Sequence, residues 1–201
     1  MGQGGEKIPG DLVSGIRVRG AGVDMEKAIF LDRDGTINVD VDYLHEPDKL
    51  VFIDGAVEAL AMLKCQGYRL IVISNQSGIG RGYFRERDVE LLHAYMNSIL
   101  EGHNAAVDAF YYCPHVEQDG CTCRKPRTGL IERAVAEWGI DLSGSYMVGD
   151  READIMTAVN AGCRYGLLLS GHAVPDALRE KYKGCVYKNL WEFAGHVCAA
   201  G

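Results

Sequence analysis

The chain contains no run of about 18 apolar residues, so no membrane-spanning helix is expected. Its N-terminus lacks an apolar core of the length that a secretory signal needs. Basic residues are in deficit: 21 Lys and Arg stand against 28 Asp and Glu, a formal net charge of -7. That argues against a nucleic-acid binder, because phosphate backbones attract a basic face. It leaves room for a small anionic substrate, since a few local cations and one bound divalent metal reverse the sign inside a pocket. There is no internal repeat at a fixed period, which excludes a solenoid or propeller.

What is present fits one domain. The 201 residues are 47% hydrophobic and 24% charged, an ordinary balance for a globular protein that buries a core without disulfides. Residues 1–24 hold seven glycines and no apolar periodicity. They are expected to be a flexible leader, with the domain spanning 25–201 and Met25 as a plausible start. The seven cysteines are an odd number. Cys113, Cys121 and Cys123 cluster beside His115, which is metal-site spacing rather than a disulfide framework. Cys65, Cys163, Cys185 and Cys198 are scattered among apolar segments and read as small buried hydrophobes. Trp138 and Trp191 read as core anchors, and His93, His103 and His196 as surface or packing histidines. Thiols kept for a metal imply a reducing, cytoplasmic compartment.

From Lys27 onward the pattern alternates. Short apolar runs at Ala28–Leu31, Leu70–Ile73, Val107–Tyr112, Tyr146–Val148 and Tyr165–Leu169 suit buried strands. Between them, 55–66, 85–100, 129–138 and 152–161 carry helical spacing, and Gly67 and Gly139 act as stops. The segment from Asp176 to Ala199 is mixed, helical with a short strand near Val186. Alternating strands and helices predict an α/β fold, a doubly wound Rossmann-like parallel sheet. In such sheets ligands bind outside the carboxyl ends of the strands. No large cap domain is expected, because 39–54 is short and 76–123 is spent on a helix, a strand and the cysteine loop.

Polar motifs follow the strands. The first ends in Asp32-Arg33-Asp34-Gly35-Thr36. Two carboxylates one residue apart past a buried strand repel each other unless a cation compensates; a capping Asp in a loop is the plainer alternative. The second strand ends in Ser74-Asn75-Gln76-Ser77-Gly78, Arg124-Lys125-Pro126 follows the cysteines, and the fourth strand ends in Gly149-Asp150 with Asp154 beyond. Asp154, in the first turn of a helix, suits either the metal site or the helix dipole. The set, in this order, resembles the four motifs of the haloacid dehalogenase-like (HAD-like) superfamily of phosphohydrolases over about Ala28–Leu169. By that resemblance Asp32 is the nucleophile, Asp34 the acid/base, and Ser74 and Lys125 stabilise the phosphoryl group. Mg²⁺ is held by Asp32, the Asp34 backbone carbonyl and Asp150; hard oxygen ligands suit that ion.

Cys113, His115, Cys121 and Cys123 offer three thiolates and an imidazole, a closed tetrahedral set typical of structural Zn²⁺. A zinc-binding loop at 113–123 would also fix Arg124 and Lys125, which follow it directly. With the Tyr43-Leu44-His45 segment and Tyr112-Cys113-Pro114-His115, this insertion resembles the D-glycero-D-manno-heptose 1,7-bisphosphate phosphatases, with the histidinol-phosphatase branch close behind. The resemblance implies a magnesium-dependent hydrolase of a small phosphorylated sugar, acting as a monomer toward bacterial surface polysaccharide. Histidinol phosphate, or another small phosphoester, is the alternative substrate. It also implies that Asp40, Val41, Asp42, Tyr43, Ser74, Asn75, Gln76, Ser77, Arg124, Lys125 and Arg151 line the substrate site. Arg151 stands where the heptose enzymes are expected to carry Lys; charge is kept and geometry is changed.

Overall fold

Six short segments form one parallel sheet: β1 (Ala28–Leu31), β2 (Arg69–Asn75), β3 (Ala109–Cys113), β4 (Tyr146–Gly149), β5 (Arg164–Leu168) and β6 (Val186–Tyr187). Their spatial order is β3-β2-β1-β4-β5-β6. The computed structural model describes residues 25–200; the expected leader at 1–24 lies outside the described residues. The connecting helices are α1 (Ala56–Cys65), α2 (Glu86–Glu101), α3 (Gly129–Trp138), α4 (Glu152–Ala161), α5 (Asp176–Lys181) and α6 (Leu190–Ala200).

The strands are unbroken apolar runs because both faces of the sheet are covered. Along β1, Ile29 and Leu31 join the core formed with α1, α2 and α6, while Ala28 and Phe30 join the core formed with α3 and α4. All four side chains are fully buried. The helices end where glycine adopts the left-handed backbone: Gly139 (φ 67°) after α3 and Gly162 (φ 77°) after α4, with the Gly139 N–H returning to Val135 O at 2.9 Å. Residues 32–55 form a strap across the carboxyl ends of the strands, not a separate cap. It is tied by Val39 N–H to Val51 O at 2.9 Å and Ile53 N–H to Ile37 O at 3.0 Å.

Two expectations change. Of the scattered cysteines only Cys163 is buried; Cys65 is exposed and Cys185 and Cys198 are half-buried. Cys65 closes α1 two positions beyond the last core residue, Leu63, on the opposite face of the helix, and so faces solvent. Trp191 is 47% exposed, because α6 turns Leu190 and Phe193 inward and leaves the intervening position outside. Trp138 does pack on the second core, donating from Nε1 to Tyr111 Oη at 3.1 Å.

At the amino end of β1 a side chain replaces the ladder. The Ala28 N–H donates to Ser145 Oγ at 2.9 Å, and Ser145, fully buried, passes its own proton to Asp141 O. Ser145→Ala strands a buried donor and is expected to cost about 1–3 kcal/mol of unfolding free energy, read from urea denaturation; an unchanged midpoint would refute the role.

Candidate active site

The polar motifs gather at the carboxyl edge of the sheet: three follow β1, β2 and β4 directly, and Arg124-Lys125-Pro126 arrives by way of the cysteine loop that leaves β3. β1 and β4 are neighbours, so Asp32 and Asp150 emerge side by side, and the Asp32 N–H bonds Val148 O at 2.9 Å. β2 flanks β1 on the other side and delivers Ser74. The chain then turns sharply at Gly35 (φ 79°), where any Cβ would run into Asp150 Oδ2; glycine is required there by backbone and by space.

Asp32, Asp150 and Asp154 are all buried and bring carboxylate oxygens within 4.8 Å of one another. One cation meets them: Lys125 Nζ lies 2.8 Å from Asp32 and 2.7 Å from Asp154. Burial raises the Asp32 carboxyl, the neighbouring Asp154 and Asp150 raise it further, and Lys125 only partly offsets them, leaving it pushed up to about 7. Asp150 Oδ1 is buried with no hydrogen-bond partner. Excess buried negative charge with an unpaired hard oxygen fits a divalent cation such as Mg²⁺. Asp154 is committed elsewhere: Oδ1 to Lys125, and Oδ2 to the Arg151 N–H at 3.0 Å at the start of α4.

Asp34 lies in a different environment. Arg33, fully buried between the two aspartates, donates from Nη2 to both Asp34 oxygens at 3.0 and 2.8 Å. Asn38 Nδ2 adds a bond to Oδ1 at 2.9 Å and Gln76 Nε2 one to Oδ2 at 3.1 Å. Burial works to raise this carboxyl, but the Arg33 charge and these donors outweigh it and hold it below the usual carboxylate range. Arg33 also donates to Leu44 O at 2.9 Å, and its Nη1 lies 3.2 Å from His93 Nε2. Burial and the adjacent guanidinium push His93 down to about 3, so its neutral imidazole accepts from Arg33.

A cavity of about 200 Å³ opens over these groups. Of the residues expected there, Asp32, Asp34, Asp40, Asp42 and Tyr43 line it from the strap, with Ser74, Asn75, Gln76 and Ser77 from the end of β2 and Arg124, Lys125 and Arg151 opposite. Val41 does not line it; it is 47% exposed, since Asp42 and Tyr43 both take left-handed backbone (φ 52° and 57°) and redirect the strap at that point. Three of the lining side chains serve other protein groups. Asn75 is spent on the backbone of Lys125, bonding its O at 3.2 Å and its N–H at 3.0 Å. Gln76 joins Ser74 Oγ at 2.7 Å to Asp34. Arg151 pairs with Asp40 at 3.1 Å.

Beside the cavity, Cys113, His115, Cys121 and Cys123 converge. Their Sγ and Nδ1 atoms lie 3.1–3.6 Å apart along the recorded contacts, close to the spacing of about 3.7 Å that a tetrahedron with Zn–S bonds of about 2.3 Å demands. Burial pushes the Cys113 thiol up, a cost that a bound cation reverses. The set fits Zn²⁺, and Arg124 Nη1 donates to His115 O at 3.3 Å, so the loop holds a cavity-lining cation directly.

Sequence reasoning missed Arg33, Asn38 and His172 as site residues. Arg33 carried a signal: it is a cation set between two carboxylates just past a buried strand. Asn38 and His172 sit in loops where no periodicity speaks.

Arg33→Met leaves Asp34 without its cation and is expected to lower the unfolding free energy by about 3–5 kcal/mol; adding Asp34→Asn should recover part of that loss in the same denaturation assay. Metal analysis of protein purified without chelator should find one Zn²⁺ per chain, and protein that carries none would overturn the zinc assignment.

The HAD-hydrolase-like family model matches residues 122–193. The D-glycero-beta-D-manno-heptose-1,7-bisphosphate 7-phosphatase of Haemophilus ducreyi is 39% identical over 179 residues, covering 86% of this chain and 98% of that protein. The Escherichia coli K12 enzyme of the same name is 47% identical over 141 residues, 67% of this chain and 74% of that one. Among solved structures, the D,D-heptose 1,7-bisphosphate phosphatase from B. bronchiseptica, complexed with magnesium and phosphate, superposes with a TM-score of 0.79 at 31% identity, over 87% of this chain and 99% of that one. With its four strand-end motifs and its Cys₃His loop, the chain belongs to the HAD-like hydrolases, in the family of the D-glycero-D-manno-heptose-1,7-bisphosphate 7-phosphatases.

Proposed function

We propose that this protein hydrolyses the 7-phosphate of D-glycero-D-manno-heptose 1,7-bisphosphate through an aspartyl-phosphate on Asp32. The observation that carries the reading is the meeting of Asp32, Asp34, Ser74 and Lys125 around one small cavity, with buried Asp150 grouped against Asp32 and the zinc loop beside it. The family's activity supports the substrate. Reduced thiols gathered for a metal fit a cytoplasmic enzyme.

Phosphate monoesters are among the slowest esters to hydrolyse unaided, so the site must align a nucleophile and spread charge. Asp32 Oδ1 accepts the Arg33 N–H at 2.8 Å and faces Lys125; these contacts fix the carboxylate's rotation for in-line attack on phosphorus. As the Asp32–phosphorus bond forms and the ester bond breaks, Asp34 gives its proton to the leaving sugar oxygen. It then takes a proton from water, which attacks phosphorus, frees Asp32 and releases inorganic phosphate. Ser74 and Lys125 meet the phosphoryl oxygens. Asp32, Asp150 and the Asp34 backbone carbonyl would hold Mg²⁺, which when bound would neutralise charge on the transferred group. For protonation, Asp34 gives up part of its bonding to Arg33. Arg124, held by the zinc loop, receives the second phosphate.

Phosphate release with Mg²⁺ from the heptose bisphosphate and from histidinol phosphate tests this. The heptose substrate should be preferred and lose its 7-phosphate, and Asp32→Asn should fall to the blank. Preference for histidinol phosphate would sink the substrate assignment; an active Asp32→Asn would sink the nucleophile.

A further inference from the structure

The loop leaving β5 carries a side chain with no role in the scheme above. His172 is exposed, its side chain 45% accessible, yet two of its atoms converge on Asp150. Its backbone N–H donates to Asp150 Oδ2 at 2.8 Å, and its Nδ1 lies 2.8 Å from the same oxygen. The far nitrogen, Nε2, lies 2.8 Å from Arg151 Nη2. A guanidinium only donates, so Nε2 is the acceptor and Nδ1 carries the proton toward Asp150. Backbone packing reinforces the clamp. A Cβ on Gly171 would clash with Asp150 Oδ2 and come within 2.7 Å of the Gly35 Cα, so glycine at 171 lets the loop close on the carboxylate.

The two oxygens of Asp150 are thereby made unequal. Oδ2 is saturated by His172, whereas Oδ1 is buried without a hydrogen-bond partner, and Asp150 groups one of its carboxylate oxygens with those of Asp32 and Asp154. Arg151 extends the contact, donating from the same Nη2 to Asp40 Oδ2 at 3.1 Å. Asp40 belongs to the strap that lines the cavity.

We propose that His172 is a positioning residue for the metal site: it locks the rotation of Asp150 so that Oδ1 is presented to Mg²⁺, and through Arg151 it ties that ligand to the strap over the substrate cavity. This rests on Asp150 holding Mg²⁺. Groups that orient a metal-bound carboxylate typically change metal affinity by about 10- to 100-fold.

Calorimetric titration of Mg²⁺ into zinc-loaded protein dialysed free of Mg²⁺ tests it without reference to turnover. His172→Ala should weaken Mg²⁺ binding by about 10- to 100-fold. His172→Asn, whose amide N–H replaces Nδ1–H, should retain more of it. Melting of both variants without Mg²⁺ should match the parent, because the side chain is exposed. An affinity within twofold of the parent in His172→Ala would overturn the proposal, and an unchanged affinity in Arg151→Ala would remove the link to the strap. Asp150→Asn is the control: if it binds Mg²⁺ as the parent does, the metal assignment itself fails, an outcome distinct from failure of the His172 role.

Discussion

Three buried carboxylates against one ammonium is the constraint on which the site is built. Lys125 reaches Asp32 and Asp154 at 2.8 and 2.7 Å, and Asp150 completes the group. Burying like charges without full compensation costs several kcal/mol per ion. The excess is what a divalent cation neutralises, and the surroundings are arranged around that need. Gly35 admits Asp150, Asn75 grips the backbone of Lys125 with both ends of its amide, and the start of α4 takes the remaining oxygen of Asp154.

Asp34, two residues from Asp32, is handled in the opposite way. Its charge is matched by Arg33 in a buried pair that includes Asn38, Gln76, Leu44 O and a neutral His93. Burial and like neighbours push Asp32 up; the Arg33 guanidinium and the amides of Asn38 and Gln76 hold Asp34 down. Divergent environments for neighbouring carboxyls are how one motif supplies two chemical roles. In the proposed mechanism a cation on Asp32 would bring that group back to its charged form, and loosening of the Arg33 pair would free Asp34 to carry a proton. Arg33 Nη2 bonds both Asp34 and Leu44 O of the strap, and Nε adds a bond to Asp34 Oδ1 at 3.2 Å.

The zinc loop links the two halves of the site. It leaves β3, folds on its metal ligands and re-enters the chain as Arg124 and Lys125, with Arg124 bonded to His115 O. A loop this short has no core of its own, so metal ligation supplies its folding energy. Lys125 thus reaches the carboxylates on a segment anchored twice, by the Cys₃His set and by Asn75.

Much of this was legible in the residues. The apolar runs of β1, β2 and β4 needed only their hydrophobicity to be read, because helices on both sheet faces force those strands to be apolar throughout. α3 and α4 carried their own stops in Gly139 and Gly162. The Cys₃His set was marked by residue type and spacing, and Asp32, Asp34, Lys125 and Asp150 by their resemblance to the HAD-like motifs. What the chain alone left open depended on partners far away in sequence: Trp191 turned outward, Val41 lies off the cavity wall, and Asn75, Gln76 and Arg151 bond other protein groups while lining the cavity. Above all, the burial of Arg33 and the approach of His172 to Asp150, 22 positions apart, were decided by tertiary structure. Strand order places β4 between β1 and β5, and only that adjacency brings the loop after β5 onto a carboxylate at the end of β4.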